Sequence, residues 1–260
     1  MIIDSHFSLL PDDSDTKARL EVSTNYYDQC TVSQQLERMK DNRVDCAVVW
    51  PPIPGDSETA LRRNEWLARE ISRHKGKFIG FGVLYPIDLD GALRGLEHAI
   101  VKLGLKGIKV HPLAQKFRID DQKFLRLAKE ISKLNVPLVI HVDMREPGRE
   151  AQGENTEWAK PEYLLDLLPI YNSPKVMAAH MGGICIEEIR KSKITFQTTG
   201  ASKETIEYAC GTVGAERVLF GSDFPSFTVK EEIQKVQEAN LTAKQRESIF
   251  SGNVKQLLSI

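Results

Sequence analysis

The feature of this sequence that most constrains its fold is a unit that recurs along the chain, a short apolar run followed by a stretch with helical periodicity. Runs that are rich in β-branched residues and lack polar alternation are typical of strands buried on both faces of a parallel sheet. Eight of them occur, at residues 2–4, 46–50, 78–83, 107–110, 138–142, 176–180, 194–197 and 218–221. The amphipathic stretches that alternate with them are 31–43, 56–74, 89–103, 121–134, 160–171, 184–191, 202–213 and 242–258.

Eight such units predict the α/β class and a single (β/α)₈ barrel domain over residues 1–260. Parallel strands joined through helices are connected by right-handed crossovers, and a chain of 260 residues is close to the size of such a barrel, about 250 residues. An open doubly wound sheet is the alternative, but the regular units and the lack of a glycine-rich phosphate turn favour closure. The chemistry of a barrel lies at the carboxyl ends of its strands.

Composition and charge exclude several classes of partner. Lys and Arg number 35 against 36 Asp and Glu, a net charge of −1, so nothing indicates binding to nucleic acid or to an anionic membrane. No apolar window is long enough to span a membrane. Four cysteines without a CxxC pair indicate reduced thiols, and we expect a cytoplasmic protein. The expected partner is a small-molecule substrate, with a homodimer as the default assembly.

Two connections are too long to be simple turns. One runs from Phe7 to Cys30 after the first strand, and the other from Asp143 to Lys160 after the fifth. Both leave a carboxyl strand end, so both are predicted to lie over the mouth of the barrel. Long connections there are usually lids or substrate-binding loops, and plain surface decoration is the alternative.

Polar residues that could act in catalysis or metal binding stand at the ends of several predicted strands. They are His6, Lys109, His111, His141, His180 and Asp223, which include four of the six histidines of the chain. Because the carboxyl ends of barrel strands share one face, these side chains are predicted to converge. Neutral imidazole nitrogens and carboxylate oxygens suit Zn²⁺ and similar divalent ions. The set therefore predicts a metal site.

Each of these residues also has a simpler structural explanation. A single histidine that ends a buried strand is more often a hydrogen-bonded core residue than a ligand. Lys109 would lie at the surface if its strand faced the other way, and Asp223 could serve only as a helix cap or turn residue, since Pro225 follows it. Asp4 is expected to brace the end of the first strand. Four unrelated polar burials in one site would be costly, which favours the functional interpretation.

Six stretches spread over the chain carry a family resemblance. They are IDSH at 3–6, GLKGIKVHPLAQKFRIDD at 104–121, VPLVIHV at 136–142, KVMAAHMGG at 175–183, VLFGSDFP at 218–225 and IFSGNVKQLL at 249–258. The sequence resembles the amidohydrolase-related branch of the amidohydrolase superfamily, the metal-dependent TIM-barrel hydrolases, and keeps that family's order of motifs. The resemblance implies an enzyme with a (β/α)₈ barrel.

The resemblance also implies a ligand set. The family's first strand carries His-x-His; His6 matches the first histidine, but Ser8 occupies the second position. The remaining metal positions fall on His141, His180 and Asp223, with His180 either a fourth ligand or an orienting acid or base. Serine is a poor ligand for a divalent ion. Three ligands and a water suffice for a catalytic site, so a divalent cation, zinc in the first instance, is expected, and a site without metal is the alternative.

The activity that the resemblance implies is hydrolysis of a small amide, lactone or ester that bears a carboxylate. Asp223 would take the proton from a metal-activated water, and His180 would stabilise the oxyanion. Lys109, His111 and Arg145 would hold the carboxylate of the substrate. Three alternatives stay open, namely a metal-dependent decarboxylase of the same family, a metal-independent lactonase, and a non-catalytic barrel that binds a small acid.

Overall fold

Eight parallel strands form the barrel and follow one another around it in chain order. A computed structural model describes residues 1–21, 29–143, 157–183 and 187–260. The strands are β1 (Ile3–Ser8), β2 (Cys46–Trp50), β3 (Phe78–Val83), β4 (Gly107–Val110), β5 (Leu138–Ile140), β6 (Val176–Ala178), β7 (Thr195–Gln197) and β8 (Val218–Leu219). This architecture is the predicted (β/α)₈ barrel.

Helices connect consecutive strands, three more follow β8, and most of them cover the outside of the barrel. They are α1 (Ser14–Arg19), α2 (Val32–Asp41), α3 (Ser57–Arg73), α4 (Leu89–Glu97), α5 (Pro112–Gln115), α6 (Gln122–Leu134), α7 (Leu164–Leu167), α8 (Glu187–Arg190), α9 (Lys203–Val213), α10 (Val229–Glu238), α11 (Ala243–Glu247) and α12 (Asn253–Leu258). Side-chain oxygens cap the longer ones, as Thr31 does for α2 and Asp56 for α3, which satisfies free backbone N–H groups. Within the described ranges, no helix is both long and apolar enough to cross a membrane.

Several elements differ from the sequence-based expectation. β1 continues to Ser8, so the first long connection begins later than predicted and contains α1. β5 and β6 are shorter than their apolar runs, and His141 and His180 therefore follow their strands rather than end them. Helix α10 was not predicted, although Thr228 caps it. Residues 22–28, a part of the first long connection, and residues 144–156, most of the second, lie outside the described residues.

The barrel is nearly closed by backbone contacts between β1 and the chain around β8. The Ser5 N–H donates to Phe220 O at 2.9 Å, and the Asp223 N–H donates to His6 O at 2.9 Å. The barrel interior contains one apolar cluster that includes Val48, Phe81 and Leu219 and also takes in side chains of α12. A larger cluster fills the space between the sheet and the helices.

An irregularity in β1 sets which of its side chains face the interior. Asp4 pairs with Ala47 and Phe7 with Val49. Between these pairs, Ser5 and His6 of β1 stand opposite the single residue Val48 of β2. This arrangement is a β-bulge. Beyond it Phe7 belongs to the helix-side cluster, while Ser8 pairs with Trp50 of the interior cluster. His6 lies inside the bulge.

Candidate active site

The predicted site residues that the structure describes do converge at the carboxyl ends of the strands. His6 lies on β1 and Lys109 on β4, while His111, His141, His180 and Asp223 each follow a strand. The imidazole rings of His111 and His141 are stacked with centroids 3.7 Å apart, and those of His141 and His180 are 4.7 Å apart. The His6 ring lies 5.9 Å from that of His180. Arg145, the third predicted substrate-binding residue, lies outside the described residues.

His6 and Asp223 are in direct contact. His6 Nε2 is 3.1 Å from Asp223 Oδ1, and His6 Nδ1 is 2.8 Å from Oε1 of Gln197, the last residue of β7. The Asp223 carboxylate also faces His180, with Oδ2 at 3.9 Å from His180 Nε2. Asp223 is therefore not merely a turn or cap residue, because its side chain points to the two histidines and Thr228 caps α10 instead.

The other histidines form a chain of contacts that ends at the backbone. His180 Nδ1 is 3.2 Å from Thr199 O, and its Nε2 is 3.2 Å from His141 Nδ1. His111 caps the short helix α5, where its Nδ1 accepts a hydrogen bond from Ala114 N at 3.2 Å. Because that lone pair is occupied, the hydrogen of a neutral His111 ring is on Nε2, which can then donate to a substrate oxygen.

Lys109 is a buried amine within this group of histidines. Its side chain is 1% exposed, and its Nζ lies 4.7 Å from the centre of the Trp50 ring. Among the described residues Nζ has no hydrogen-bond partner. Burial lowers the pKa of Lys109 to about 7, against a smaller opposing effect of the Asp223 charge. A buried amine with no partner is costly, and its presence points to an anionic ligand.

Burial also sets the charge states of the remaining groups. It lowers the pKa of His180 to about 4 and lowers that of His6. The pKa values of His111 and His141 fall well below the ordinary value for the same reason, helped by neighbouring imidazoles and Lys109. Burial alone would raise the pKa of Asp223, but His6, His180 and Lys109 hold it below its ordinary value. At neutral pH the site thus holds neutral imidazoles around an ionised carboxylate.

Asp4 braces the site from behind, as the sequence predicts. Its Oδ1 accepts hydrogen bonds from the backbone N–H groups of His6 and Ser222, both at 3.0 Å. These bonds hold β1 against the segment that carries Asp223. Burial raises the pKa of Asp4 to about 7.

The donor set fits a divalent cation by its chemistry. With Nδ1 of His6 bonded to Gln197, the lone pair of Nε2 faces Asp223 Oδ1 at 3.1 Å. Two electron-pair donors at this distance suit a cation that both can bind, and imidazole with carboxylate is a common ligand combination for divalent ions. In their present rotamers, no three or more His, Cys, Asp or Glu side chains of the described chain are placed so that they could hold an ion together.

Three residues of the site were not predicted from the sequence. Gln197 contacts His6, Thr199 contacts His180, and Trp50 lies against both Lys109 and His6, with the Trp50 and His6 rings 4.6 Å apart. The available signal was position, since Trp50 and Gln197 each end a predicted strand and Thr199 follows one. Uncharged side chains at strand ends are common, and the sequence does not distinguish these three from core residues.

Comparisons with known proteins agree with this architecture. A model of the amidohydrolase family matches residues 3–260. The γ-resorcylate decarboxylase of Polaromonas sp. (strain JS666 / ATCC BAA-500) is 23% identical over 251 residues, covering 78% of this chain and 77% of that protein.

Two solved structures share the fold at low sequence identity. The dihydroxybenzoic acid decarboxylase of Polaromonas sp. JS666, with bound manganese and the inhibitor 2-nitroresorcinol, is 19% identical with a TM-score of 0.76, over 99% of this chain and 96% of that one. The 4-oxalomesaconate hydratase of Rhodopseudomonas palustris is 17% identical with a TM-score of 0.75, over 100% of this chain and 96% of that one.

Proposed function

Because the chain belongs to the amidohydrolase family, we propose that it is a metal-dependent decarboxylase of a small aromatic or unsaturated carboxylic acid. The observation that carries this proposal is Lys109, a buried amine without a hydrogen-bond partner beside Asp223 and neutral imidazoles. The reaction named for the decarboxylase relatives supports it. Hydrolysis, the first expectation from the sequence, has less support, since the relatives described above are two decarboxylases and a hydratase.

Decarboxylation exchanges a carboxylate for a proton. The bond between the carboxylate carbon and its neighbour breaks, the electron pair stays on that neighbour, and CO₂ leaves. The neighbouring carbon takes up one proton, and no water is consumed. The transition state therefore places negative charge on the substrate skeleton, and a fixed positive group close by lowers its energy most where water is excluded.

The residues of the site have separate roles in this proposal. Lys109, in its protonated form, neutralises an anionic oxygen of the substrate, and His111 donates from Nε2 to a second oxygen. Asp223, which is ionised in the resting site, takes up a proton from solvent and passes it to the carbon, with the neutral His180 beside it, its Nε2 3.9 Å from Asp223 Oδ2. Trp50 forms an apolar wall that keeps Lys109 away from water. Arg145 remains a candidate for carboxylate binding.

The ligands for the proposed divalent ion are His6, His141 and Asp223, with His180 as a fourth. Zinc is the ion expected from the sequence, and manganese is the ion in a related structure. When bound, either would supply a Lewis acid that withdraws electron density from substrate oxygens. Ser8 takes the place of the second histidine of the family motif, so this ligand set has one imidazole fewer than that motif supplies.

The reaction can be tested with a panel of hydroxybenzoates and unsaturated dicarboxylic acids. We expect CO₂ release with one proton taken up and no ¹⁸O from labelled water in the organic product. The variant Asp223→Asn should lose roughly 10²–10⁴-fold in kcat, whereas Asp90→Asn, at an exposed position of α4, should keep full activity. Incorporation of one ¹⁸O into the organic product without CO₂ release would instead establish a hydrolase or hydratase.

The metal requirement is tested separately by elemental analysis. We expect about one Zn²⁺ or Mn²⁺ per chain after reconstitution, and a loss of activity on chelation that either ion restores. His141→Ala should lower both the metal content and the activity. Full activity after exhaustive chelation would show that the site works without metal.

A further inference from the structure

Gln197 makes a complete set of hydrogen bonds across the barrel, from the end of β7 to β1. The residue is fully buried, and its Nε2 donates to Ser5 O at 2.6 Å and to Ser5 Oγ at 3.1 Å. Its Oε1 is 2.8 Å from His6 Nδ1. All the hydrogen-bonding groups of this amide therefore point to two residues of one strand.

The neighbours of Gln197 determine which way its amide points. Ser5 O can only accept, and Ser5 Oγ gives its own hydrogen to Phe220 O at 2.6 Å. Both Ser5 atoms thus require a donor, and the Gln197 NH₂ group supplies it. If the amide were flipped, Oε1 would face the Ser5 carbonyl oxygen at a distance suited only to a hydrogen bond, which is unfavourable. Oε1 is therefore the atom that faces His6.

This orientation decides which nitrogen of His6 carries the hydrogen. Because Oε1 only accepts, Nδ1 of His6 must be the donor, and Nε2 of the neutral ring keeps its lone pair. That lone pair faces Asp223 Oδ1 at 3.1 Å. Without Gln197, the hydrogen would be more stable on Nε2, where it could form a hydrogen bond to Asp223. Such a bond would occupy both groups.

We propose that Gln197 is a positioning residue that holds His6 in the Nδ1–H tautomer and so keeps Nε2 and the Asp223 carboxylate open to a cation. The inference deepens the proposed function, since it names the residue that prepares His6 for the metal. Outer partners of histidine ligands fix ring orientation and tautomer in many metal sites. Here an amide whose other bonds are fixed by β1 has that role.

The tautomer can be read directly by ¹⁵N NMR of histidine-labelled, chelator-treated protein. The chain has six histidines, and the His6 signals are identified by their loss in His6→Asn. We expect the protonated type of ¹⁵N shift at Nδ1 and the unprotonated type at Nε2, and we expect the two to change places in Gln197→Leu. An Nε2–H tautomer in the wild type, or an unchanged tautomer in Gln197→Leu, would overturn the proposal.

Two further variants separate this role from general stability. Gln35→Leu also removes a fully buried amide bonded to a β1 carbonyl, Ser8 O at 2.8 Å, but without contact to His6. It should leave the His6 tautomer unchanged. Gln197→Glu keeps an acceptor for Nδ1, and its other carboxyl oxygen can donate to Ser5 O when protonated, so Nδ1 should keep its hydrogen. An Nε2–H tautomer in this variant or in the wild type would overturn the proposal even if Gln197→Leu does not fold.

A second readout is metal affinity, independent of turnover. We expect Gln197→Leu to weaken Mn²⁺ binding by about 10- to 100-fold and Gln35→Leu to leave it unchanged. Equal affinity in Gln197→Leu and the wild type would contradict the proposal. Because neither readout uses a substrate, failure to detect decarboxylation would reject the proposed function and leave the assignment of Gln197 intact.

Discussion

Lys109 is the residue at which stability and function are most clearly opposed. Its amine is fully buried, lies over Trp50, and has no hydrogen-bond partner in the described chain. A pKa that falls from 10.5 to about 7 corresponds to about 5 kcal/mol of cost for the charged form. The buried amine therefore does not stabilise the fold, and we infer that it is there to bind an anionic ligand.

Replacing Lys109 with methionine is therefore expected to stabilise the protein and inactivate it. In chelator-treated protein at pH 7, Lys109→Met should raise the free energy of unfolding by roughly 2–5 kcal/mol, measured by denaturant titration. The same change at the exposed Lys129 should alter it by less than about 0.5 kcal/mol. A Lys109→Met protein that is less stable than the wild type would show that the amine has a structural role.

The same buried amine predicts a particular pH dependence. Between pH 7 and 10.5 the unfolded state binds more protons at this position than the native state, so the unfolding free energy of the wild type rises with pH. Lys109→Met lacks this rise, and the stability difference between the two proteins should shrink from pH 7 to pH 10. A difference that stays constant over this range would mean that Lys109 titrates normally.

At the level of residues, the sequence identified the histidine and carboxylate side chains at strand ends, which are uncommon there, but not the uncharged ones, which are common there. Histidines and Asp223 at strand ends were predicted to meet, and they do, because a parallel barrel brings all carboxyl ends to one face. Gln197 was missed although it ends a predicted strand, since its importance lies in a bond to Ser5 across the barrel. Such a bond depends on which strands are neighbours at closure, and no local pattern contains that information.

At the level of elements, apolar runs predicted every strand, but not where pairing stops. β5 ends at Ile140, before the apolar Val142, since an apolar side chain does not by itself give a residue a place in the sheet. Helix α10 was not predicted although its buried Val229, Ile233 and Val236 have helical spacing, because the recurring unit predicts one helix after each strand and 242–258 takes that place after the last one. The register of β1 against β2 was also beyond prediction, since a bulge leaves no composition signal.

Strand β1 offers a direct test of the missing ligand. Ser8 pairs with Trp50 and is 9% exposed, so Ser8→His would place an imidazole on the inward face close to His6. We expect roughly tenfold or tighter binding of Zn²⁺, measured by competition with a chelating dye. Ser72→His, on the exposed side of α3, is the control and should not change the affinity. No gain in Ser8→His would show that this position is too far from the ligands.

For the whole molecule, the place where β1 meets the chain around β8 is the critical junction, because it both closes the barrel and positions His6 beside Asp223. Asp4 spans this junction by accepting from the backbone of His6 and Ser222. Asp4→Ala leaves two buried N–H groups without that acceptor and should lower the free energy of unfolding by about 2–4 kcal/mol.

A surface carboxylate provides the control for this change. Asp45→Ala removes the exposed bond from Ile2 N to Asp45 Oδ2 and should cost less than about 1 kcal/mol. Both values come from denaturant unfolding at the same pH. Equal losses in the two variants would mean that Asp4 is no more important to closure than a surface turn.

The bulge in β1 means that the odd and even positions of this strand exchange sides partway along it. Strict alternation from Ile3, which belongs to the interior cluster, would turn Phe7 inward and His6 towards the helices. The extra residue reverses that parity, so Phe7 joins the helix-side cluster and His6 reaches Asp223. A related strand that lacks the bulge would therefore turn its histidine towards the helices, even where an alignment without gaps matches that histidine to His6. In this barrel, the one extra residue of the bulge decides whether the His6 side chain faces the candidate site or the helices.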